Sequence, residues 1–483
     1  MASFSLSFNH KQHISYFCVL IILLLLNISA RFAHSGTLVE YLPGYKGRLP
    51  FHLETGYLSV DDSELFYYFI ESQGNPTEDP LLLWLTGGPG CSAFNGLIYE
   101  IGPMQFGIHN YPGGLPSLTP WEEAWTKTAS IIFVDLPVGT GYSYSTTQAG
   151  WHSSDTIASE QVYQFLVKWL LDHPKYLPLE LIIGGDSYTG KYIPVVTKKV
   201  IERNIAGARP SFNLKGCLLG SPATDEALNS NSRIIFAHRM TLISDELYER
   251  LKVSCNGTYI NVEPSNVECT EALVTYNRLV QGIWKGHILE PKCSELSLSY
   301  PENSSAPRRF LRKSSGNNLL IEYPDQNLQL DRCRTFTYTL ATIWANDPLV
   351  IEALHVRKGT VTKWVRCNQS LSYTKNVDSV IPVHKYLIKH DLNVLVQTGD
   401  RDMVVPHVAT RAWVQELGLD VDTNWRPWFI DGQVVGYTEK YKSDASGYRL
   451  VYATVKGAGH PAPEYHRKEC YHMFNRWIHT YPL

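Results

Sequence analysis

Continuous apolar runs alternate along the chain with longer amphipathic stretches, and this rhythm predicts the fold. After Asp155, which can cap a helix, Val162, Phe165 and Trp169 fall on one apolar helical face with Leu166 and Leu170. Strands that alternate with helices indicate an α/β fold, a mostly parallel sheet with helices on both faces. The predicted buried strands are residues 81–85, 130–135, 181–185, 214–220 and 393–397.

The two ends of the sheet have a different pattern. Residues 51–60 and 64–70 predict an early antiparallel pair, because a polar turn at 61–63 separates two strand-like runs. Residues 428–441 and 449–455 predict a last hairpin, and a final helix carries Met473, Phe474 and Trp477. We therefore expect antiparallel strands at both edges of a parallel centre.

Between residues 225 and 389 the alternation stops, turns multiply and cysteines cluster. We interpret 225–389 as an inserted cap, with the core built from 36–224 and 390–483. Residues 301–316 are rich in Ser, Pro and Arg, which predicts an exposed loop; it is either cut, giving a two-chain form, or left intact.

The N-terminal residues 1–35 have the pattern of a signal peptide, with Lys11 before an apolar run and the small residues Ala33 and Ser35 after it. A membrane anchor is the alternative, but the run is short for a span. No later segment is long and apolar enough to span a membrane, so none is expected after signal removal. A near-neutral net charge of −3, with no basic run interleaved with aromatic residues, argues against a nucleic-acid partner.

Nine cysteines are consistent with an oxidising secretory compartment, Cys18 lying in the signal and eight in the mature chain. Their pairing cannot be obtained by counting. Asn-x-Ser/Thr patterns at Asn256, Asn303 and Asn368 predict glycosylation sites, which agrees with secretory passage.

Three chemically important residue types each follow a predicted strand. Ser187 comes after a strand that ends in two glycines and before a segment, 191–199, that can start a helix; this is the geometry of a nucleophile elbow. The pattern departs from strict Gly-x-Ser-x-Gly at Thr189. His460 lies on a Gly-Ala-Gly loop after the last strand. With an aspartate after 393–397, the order serine, aspartate, histidine resembles that of α/β-hydrolases.

This constellation suits acyl transfer, because serine needs a base to become a nucleophile and histidine needs a carboxylate to orient its ring. Asp402 and Asp400 compete for the carboxylate role. We favour Asp402 because related hydrolases place the acid three residues after the glycine, here Gly399; Asp400 would then cap a turn.

Over nearly its whole mature length the chain resembles the serine carboxypeptidase family. The matching motifs are Gly-Gly-Pro-Gly-Cys-Ser at 87–92, the elbow, Gly-Asp-x-Asp at 399–402, and Gly-Ala-Gly-His at 457–460. The resemblance implies a Ser187, Asp402 and His460 triad, with the backbone N–H groups of Gly88 and Tyr188 as oxyanion hole. It also implies two disulfides and leaves the partner of Cys293 open; the implied pairs are Cys91 with Cys333 and Cys255 with Cys269.

The departures from that family concern substrate recognition. Its carboxypeptidases bind a peptide's C-terminal carboxylate with an asparagine and two glutamates. Thr86 stands at the asparagine position and Asp186 at one glutamate position, while Glu100 matches the other. Threonine lacks amide donors and aspartate is shorter, and such changes alter discrimination strongly.

These substitutions resemble the plant serine carboxypeptidase-like acyltransferases, which move hydroxycinnamoyl or benzoyl groups from a 1-O-glucose ester to an alcohol, many of them in the vacuole. The resemblance implies a small-molecule acyl-glucose donor and an alcohol acceptor, substrate contacts at Thr86, Gly87, Glu100 and Asp186, and a vacuolar or extracellular location. No metal or other cofactor is expected. A true carboxypeptidase and a non-catalytic companion subunit are the rival hypotheses.

Overall fold

The computed structural model describes residues 36–108, 111, 113–293 and 334–483. The predicted signal at 1–35, the 301–316 loop, Asn303 and Cys333 lie outside the described residues.

The described elements include sixteen strands and eleven α-helices, numbered here in chain order. The strands are β1 (Gly36–Val39), β2 (Leu53–Val60), β3 (Ser63–Ile70), β4 (Leu81–Leu85), β5 (Met104–Phe106), β6 (Leu118–Pro120), β7 (Ser130–Val134), β8 (Tyr144–Ser145), β9 (His152–Ser154), β10 (Leu181–Asp186), β11 (Leu214–Gly220), β12 (Ser372–Thr374), β13 (Asn393–Gly399), β14 (Asp420–Ile430), β15 (Gln433–Ser443) and β16 (Tyr448–Val455). The helices are α1 (Asp155–Asp172), α2 (Ile193–Ile205), α3 (Glu226–Arg239), α4 (Asp245–Ser254), α5 (Val267–Val280), α6 (Arg334–Ala345), α7 (Pro348–Ala353), α8 (Ile381–Leu387), α9 (His407–Glu416), α10 (Ala462–Tyr465) and α11 (Arg467–Ile478).

Most strands form one twelve-stranded sheet in the order β1-β2-β3-β7-β4-β10-β11-β13-β16-β15-β14, with β8 paired to β3. The pairs from β7 to β16 are parallel, and those at both ends are antiparallel. The predicted α/β-hydrolase fold is therefore present. Parallel strands that are buried on both faces need no polar alternation, which is why they are read as continuous apolar runs.

Two apolar clusters, one on each face of the sheet, form the main core. On α1 the predicted face is buried: Phe165, Leu166 and Trp169 have no exposed surface. The predicted cap of this helix is wrong, however. Ser154 occupies the N-cap and accepts from the Ile157 N–H, while Asp155 is the first helical residue. The Asp155 carboxylate is used elsewhere.

The antiparallel edges were only partly predicted. The pair β2–β3 matches the prediction. The predicted last hairpin is wrong. Residues 428–441 contain a turn and belong to two strands, β14 and β15, and β16 is the third strand of an antiparallel group. Asp431 and Gly432 form the turn, both at positive φ of 49° and 74°. An Asp-Gly pair is a strong signal for such a two-residue turn.

Between β11 and β13 the described chain adds no strand to the main sheet and forms α3 to α8 with the short β12. Its helices α3 to α5 have an apolar cluster of their own, which contacts Met403 and Val408 of the core. Helix α6 instead packs into the main core, where Trp344 stacks on Phe94 at 4.9 Å. Within the described residues, no helix combines the length and apolar character needed to cross a membrane.

Candidate active site

Ser187 lies at the sharp turn between β10 and a 3₁₀ turn, Ser187–Lys191, that leads into α2. Its φ is +56°, which is unusual for a residue with a side chain. Such a conformation is the mark of the nucleophile elbow, since it raises the side chain above the end of the sheet.

Ser187, His460 and Asp402 are in contact. His460 Nε2 is 2.7 Å from Ser187 Oγ, and His460 Nδ1 is 2.7 Å from Asp402 Oδ2. The side chain of Asp402 is fully buried and that of His460 is 11% exposed. The loops after β10, β13 and β16 bring these residues together, because parallel neighbours end at the same edge of the sheet.

The two candidate aspartates have different partners. Asp402 Oδ1 accepts from the N–H groups of Val404 and Val405 at 2.7 and 2.9 Å, which leaves Oδ2 to the imidazole. Asp400 accepts from the Gly457 N–H at 2.7 Å and does not contact His460 in the described structure. Asp400 thus holds the start of the histidine loop, and Asp402 orients the ring.

The electrostatics of His460 suit proton transfer. Burial lowers the pKa of its imidazole, but the neighbouring Asp402 carboxylate outweighs burial and holds the pKa above its ordinary value. The charges of Asp186 and Glu464 act in the same direction. The ring can therefore accept the serine proton and carry it as an imidazolium paired with Asp402.

The glycine loop after β4 lies directly against the elbow. A Cβ added to Gly87 would come within 2.5 Å of Ser187 Cβ and 2.8 Å of Tyr188 N, so only glycine fits there. Gly88 has φ +121°, which also favours glycine. Tyr188 N is in the first turn of a helix and has no intrahelical acceptor. The predicted oxyanion amides, Gly88 N and Tyr188 N, are thus on adjoining segments beside Ser187.

Thr86, Glu100 and Asp186 are buried at 8, 2 and 4% exposure and line the cavity in front of Ser187. Asp186 Oδ1 accepts a 3.3 Å hydrogen bond from the Gly87 N–H, so it also holds the glycine loop. Burial raises the pKa of Asp186, and burial with the charge of Asp186 holds the pKa of Glu100 well above its usual range. The pair therefore resists carrying two full negative charges.

The cavity has a volume of about 1040 Å³ and includes residues that the sequence analysis missed. Glu464 lies on its wall; its Oε1 accepts from Tyr338 Oη at 2.5 Å and from Arg334 Nη1 at 3.3 Å. Asn95 is a second missed residue. Glu464 follows His460 by about one helical turn, a spacing that could have identified it.

One predicted disulfide is present and one is wrong. Cys255 pairs with Cys269 as expected, but Cys91 pairs with Cys367 instead of Cys333. The reason is local: Asn368 N donates to Gly90 O at 2.8 Å, forming a short antiparallel bridge that places Cys367 opposite Cys91. Cys293 is also disulfide-bonded.

The two described Asn-x-Ser/Thr sites differ in accessibility. Asn256 is exposed. Asn368 is half-buried, and its Nδ2 donates to Gly139 O at 2.9 Å. Asn256 is therefore the more open acceptor for a glycan.

Comparisons with known proteins show the family of this chain. The serine carboxypeptidase family profile matches residues 43–480. Serine carboxypeptidase-like 17 of Arabidopsis thaliana is 42% identical over 95% of this chain and 97% of its own length, and serine carboxypeptidase-like 2 of the same plant is 40% identical over 96 and 97%.

The crystal structure of Kex1Δp, a prohormone-processing carboxypeptidase from Saccharomyces cerevisiae, has the same fold. Its TM-score is 0.67 at 18% identity, covering 89% of this chain and 91% of that one. With the profile match over most of the chain and relatives above 40% identity, the protein belongs to the serine carboxypeptidase family.

Proposed function

We propose that the protein is an acyltransferase that moves a hydroxycinnamoyl- or benzoyl-type group from a 1-O-acyl-β-glucose ester to an alcohol. The observation that carries this proposal is the wall beside Ser187. Thr86 has no amide donors for a peptide's terminal carboxylate, and Asp186 is engaged with the Gly87 N–H. An uncharged ester with a hydroxylated leaving group suits this wall better than a carboxylate does.

In the first half-reaction, Ser187 Oγ attacks the ester carbonyl while His460 Nε2 accepts its proton. The oxyanion is held by the N–H groups of Gly88 and Tyr188, and Asp402 stabilises the imidazolium. The carbon–oxygen bond to glucose then breaks, His460 returns the proton to the glucose oxygen, and an acyl-serine remains.

In the second half-reaction, the acceptor hydroxyl gives its proton to His460 and attacks the acyl-serine, which restores Ser187. Water at about 55 M competes for the same step, so the acceptor must be positioned and water excluded. Trp284 and Ile283 of the segment after α5 line the cavity together with Ser187 and supply apolar cover.

Carboxypeptidase activity remains the rival, and one observation favours it. The raised pKa values of Asp186 and Glu100 would let one of them stay protonated in mild acid and donate to a carboxylate. A non-catalytic companion role is disfavoured, because the Ser187–His460 contact of 2.7 Å is assembled for proton transfer.

The deciding experiment incubates the purified protein with a panel of 1-O-acyl-glucoses, alcohols and blocked dipeptides, followed by mass spectrometry. The proposal expects a new acyl ester and free glucose, both absent with Ser187→Ala. Amino-acid release from dipeptides without transfer from glucose esters would establish the rival.

We also propose passage through the secretory pathway to the vacuole or the cell exterior, supported by the disulfides Cys91–Cys367 and Cys255–Cys269.

A further inference from the structure

The cavity wall near Ser187 carries an unusual set of polar atoms. Thr86 Oγ1, Asn95 Oδ1 and Glu100 Oε2 are buried without a hydrogen-bond partner within the described structure. All three residues line the cavity and are at least nine-tenths buried. Buried polar groups are nearly always paired, so three orphans on one wall indicate that a ligand completes them.

Glu464 adds a fourth atom to this set. Its side chain is 6% exposed, and both hydrogen bonds found for it in the described structure go to Oε1, from Tyr338 and Arg334. Arg334 also binds Glu290 at 2.6 Å, which fixes the carboxylate in place. Oε2 therefore has no protein donor among the described residues and belongs to a side chain that lines the cavity.

The chemistry of these atoms selects the ligand. Asn95 Nδ2 donates hydrogen bonds to the carbonyls of Ser92 and Arg366, at 2.8 and 3.4 Å. Its acceptor atom, Oδ1, is therefore the one without a partner among the described residues. A Glu464 carboxylate oxygen likewise accepts. Thr86 Oγ1 can donate as well as accept, and so can Glu100 when its raised pKa keeps it protonated. A wall that combines acceptors with such groups is matched by adjacent sugar hydroxyls, which both donate and accept, whereas a carboxylate only accepts.

The position of the wall indicates which part of the substrate meets it. His460 protonates the departing oxygen, so the leaving group must lie next to His460. Glu464 is four residues further along the same loop and short helix, and its charge acts on the imidazole. The wall is thus on the leaving-group side of Ser187.

We propose that Asn95 and Glu464, with Thr86 and Glu100, form a sugar subsite that reads the hydroxyls of the donor's glucosyl group. This inference rests on the proposed function and assigns residues to its donor specificity. The subsite holds the glucose while the acyl group is transferred to Ser187, and its emptying makes room for the acceptor.

The test compares two esters of one acyl group, 1-O-cinnamoyl-β-glucose and p-nitrophenyl cinnamate, whose leaving group has no sugar hydroxyls. Glu464→Gln should lower the ratio of kcat/KM for the glucose ester to kcat/KM for the aryl ester about tenfold or more, because a hydrogen bond between the sugar and a charged group is lost. The effect of the lost charge on His460 acts on both esters and cancels in this ratio. Tyr338→Phe is the matched control: it removes a partner of Oε1 and leaves Oε2 free, so it should show no such selectivity.

A second arm removes the hydroxyls from the substrate one at a time. Esters of 2-, 3-, 4- and 6-deoxyglucose are compared on the wild-type protein, where at least one deletion should cost about tenfold, and on Glu464→Gln, where that same deletion should cost little more. Equal losses on glucose and aryl esters, or deoxy esters that all react like the parent, would overturn the subsite.

The readout is glucose release, which occurs whether water or an alcohol takes the acyl group. Failure of the subsite therefore leaves glucose release intact in the wild type. No glucose release from any acyl-glucose would instead refute the proposed function, and the subsite with it.

Discussion

Tyr188, whose backbone N–H we propose as an oxyanion donor, donates its side-chain hydroxyl to the buried carboxylate of Asp155 at 2.9 Å. The same carboxylate accepts from Tyr373 Oη at 2.7 Å and from the N–H groups of Asn376 and Val377 at 2.7 and 2.8 Å. Asp155 thus ties the elbow to the end of the predicted cap.

We predict that Asp155→Asn lowers the free energy of unfolding by about 3 kcal/mol. The amide N–H₂ group of asparagine cannot accept hydrogen bonds, so some of the buried donors that the carboxylate now satisfies would lose their acceptor. Tyr373→Phe, which removes one of the four donors, should cost only about 1 kcal/mol. Urea unfolding followed by fluorescence measures both. An Asp155→Asn protein as stable as the wild type would show that this cross-link contributes little.

The roles of the two aspartates can be separated by matched amide substitutions. Asp402→Asn should reduce kcat by about 10³- to 10⁴-fold, because the imidazole would lose its orienting carboxylate. Asp400→Asn should reduce it less than about tenfold, since Asp400 contacts the backbone of Gly457 and not the ring. Turnover of an acyl ester by both variants, with circular dichroism as the folding control, makes the comparison. Equal losses would contradict the assignment of Asp402.

The charge of Asp186 should be visible in the pH profile. It raises the pKa of His460, so Asp186→Asn should lower that pKa and move the acid limb of kcat/KM to lower pH. The histidine must be neutral to act as base, which fixes this direction. Asp422→Asn, at an exposed site on β14, is the charge-matched control and should leave the limb in place. A shift to higher pH in the first variant would refute the coupling.

Stability should fall in acid because of a buried histidine. His384 is fully buried, stacks on Trp413 at 4.6 Å and has no hydrogen-bond partner at either ring nitrogen in the described structure. Burial lowers its pKa to about 3, so the unfolded chain takes up the proton first. The stability that depends on a neutral His384 is therefore fully present above the unfolded-state pKa of about 6.5. It is lost as pH falls from about 6.5 toward 3, because protonation of the unfolded chain then favours unfolding.

The measurement is the free energy of unfolding of the wild type and of His384→Phe from pH 7 to pH 4. The difference between them should change by about 1.4 kcal/mol per pH unit below about 6.5, with the variant gaining relative stability in acid. A difference independent of pH would mean that His384 titrates normally in the fold.

Much of this fold could be predicted from local sequence patterns. Buried parallel strands such as β4 and β10 are continuous apolar runs, and the glycines after them mark the loops where Ser187 and the Gly87–Gly88 pair lie. The order of the triad follows from which strands precede these loops. Each of these features is encoded within about ten residues of chain, which is why the sequence sufficed.

Features that depend on distant segments were missed. Cys91 and Cys367 are 276 residues apart, and the backbone hydrogen bonds from Asn368 to Gly90 and from Ser92 to Arg366 bring them together. Asp155 looked like a helix cap because its partners, from Tyr188 to Val377, are far away in the sequence. The turn at Asp431 and Gly432 is different, because an Asp-Gly pair is a local signal. It indicates two strands where one strand was predicted over residues 428–441.

The most direct test of the central claim is the mass of the protein itself. Wild-type enzyme is mixed with 1-O-cinnamoyl-β-glucose without an acceptor, quenched in acid, and analysed by intact-protein and peptide mass spectrometry, with Ser187→Ala in parallel. The account predicts a cinnamoyl group on the peptide that contains Ser187, release of at least one glucose for each modified protein, and neither in the variant. An unmodified protein and intact acyl-glucose, under conditions where a blocked dipeptide is cleaved, would contradict it.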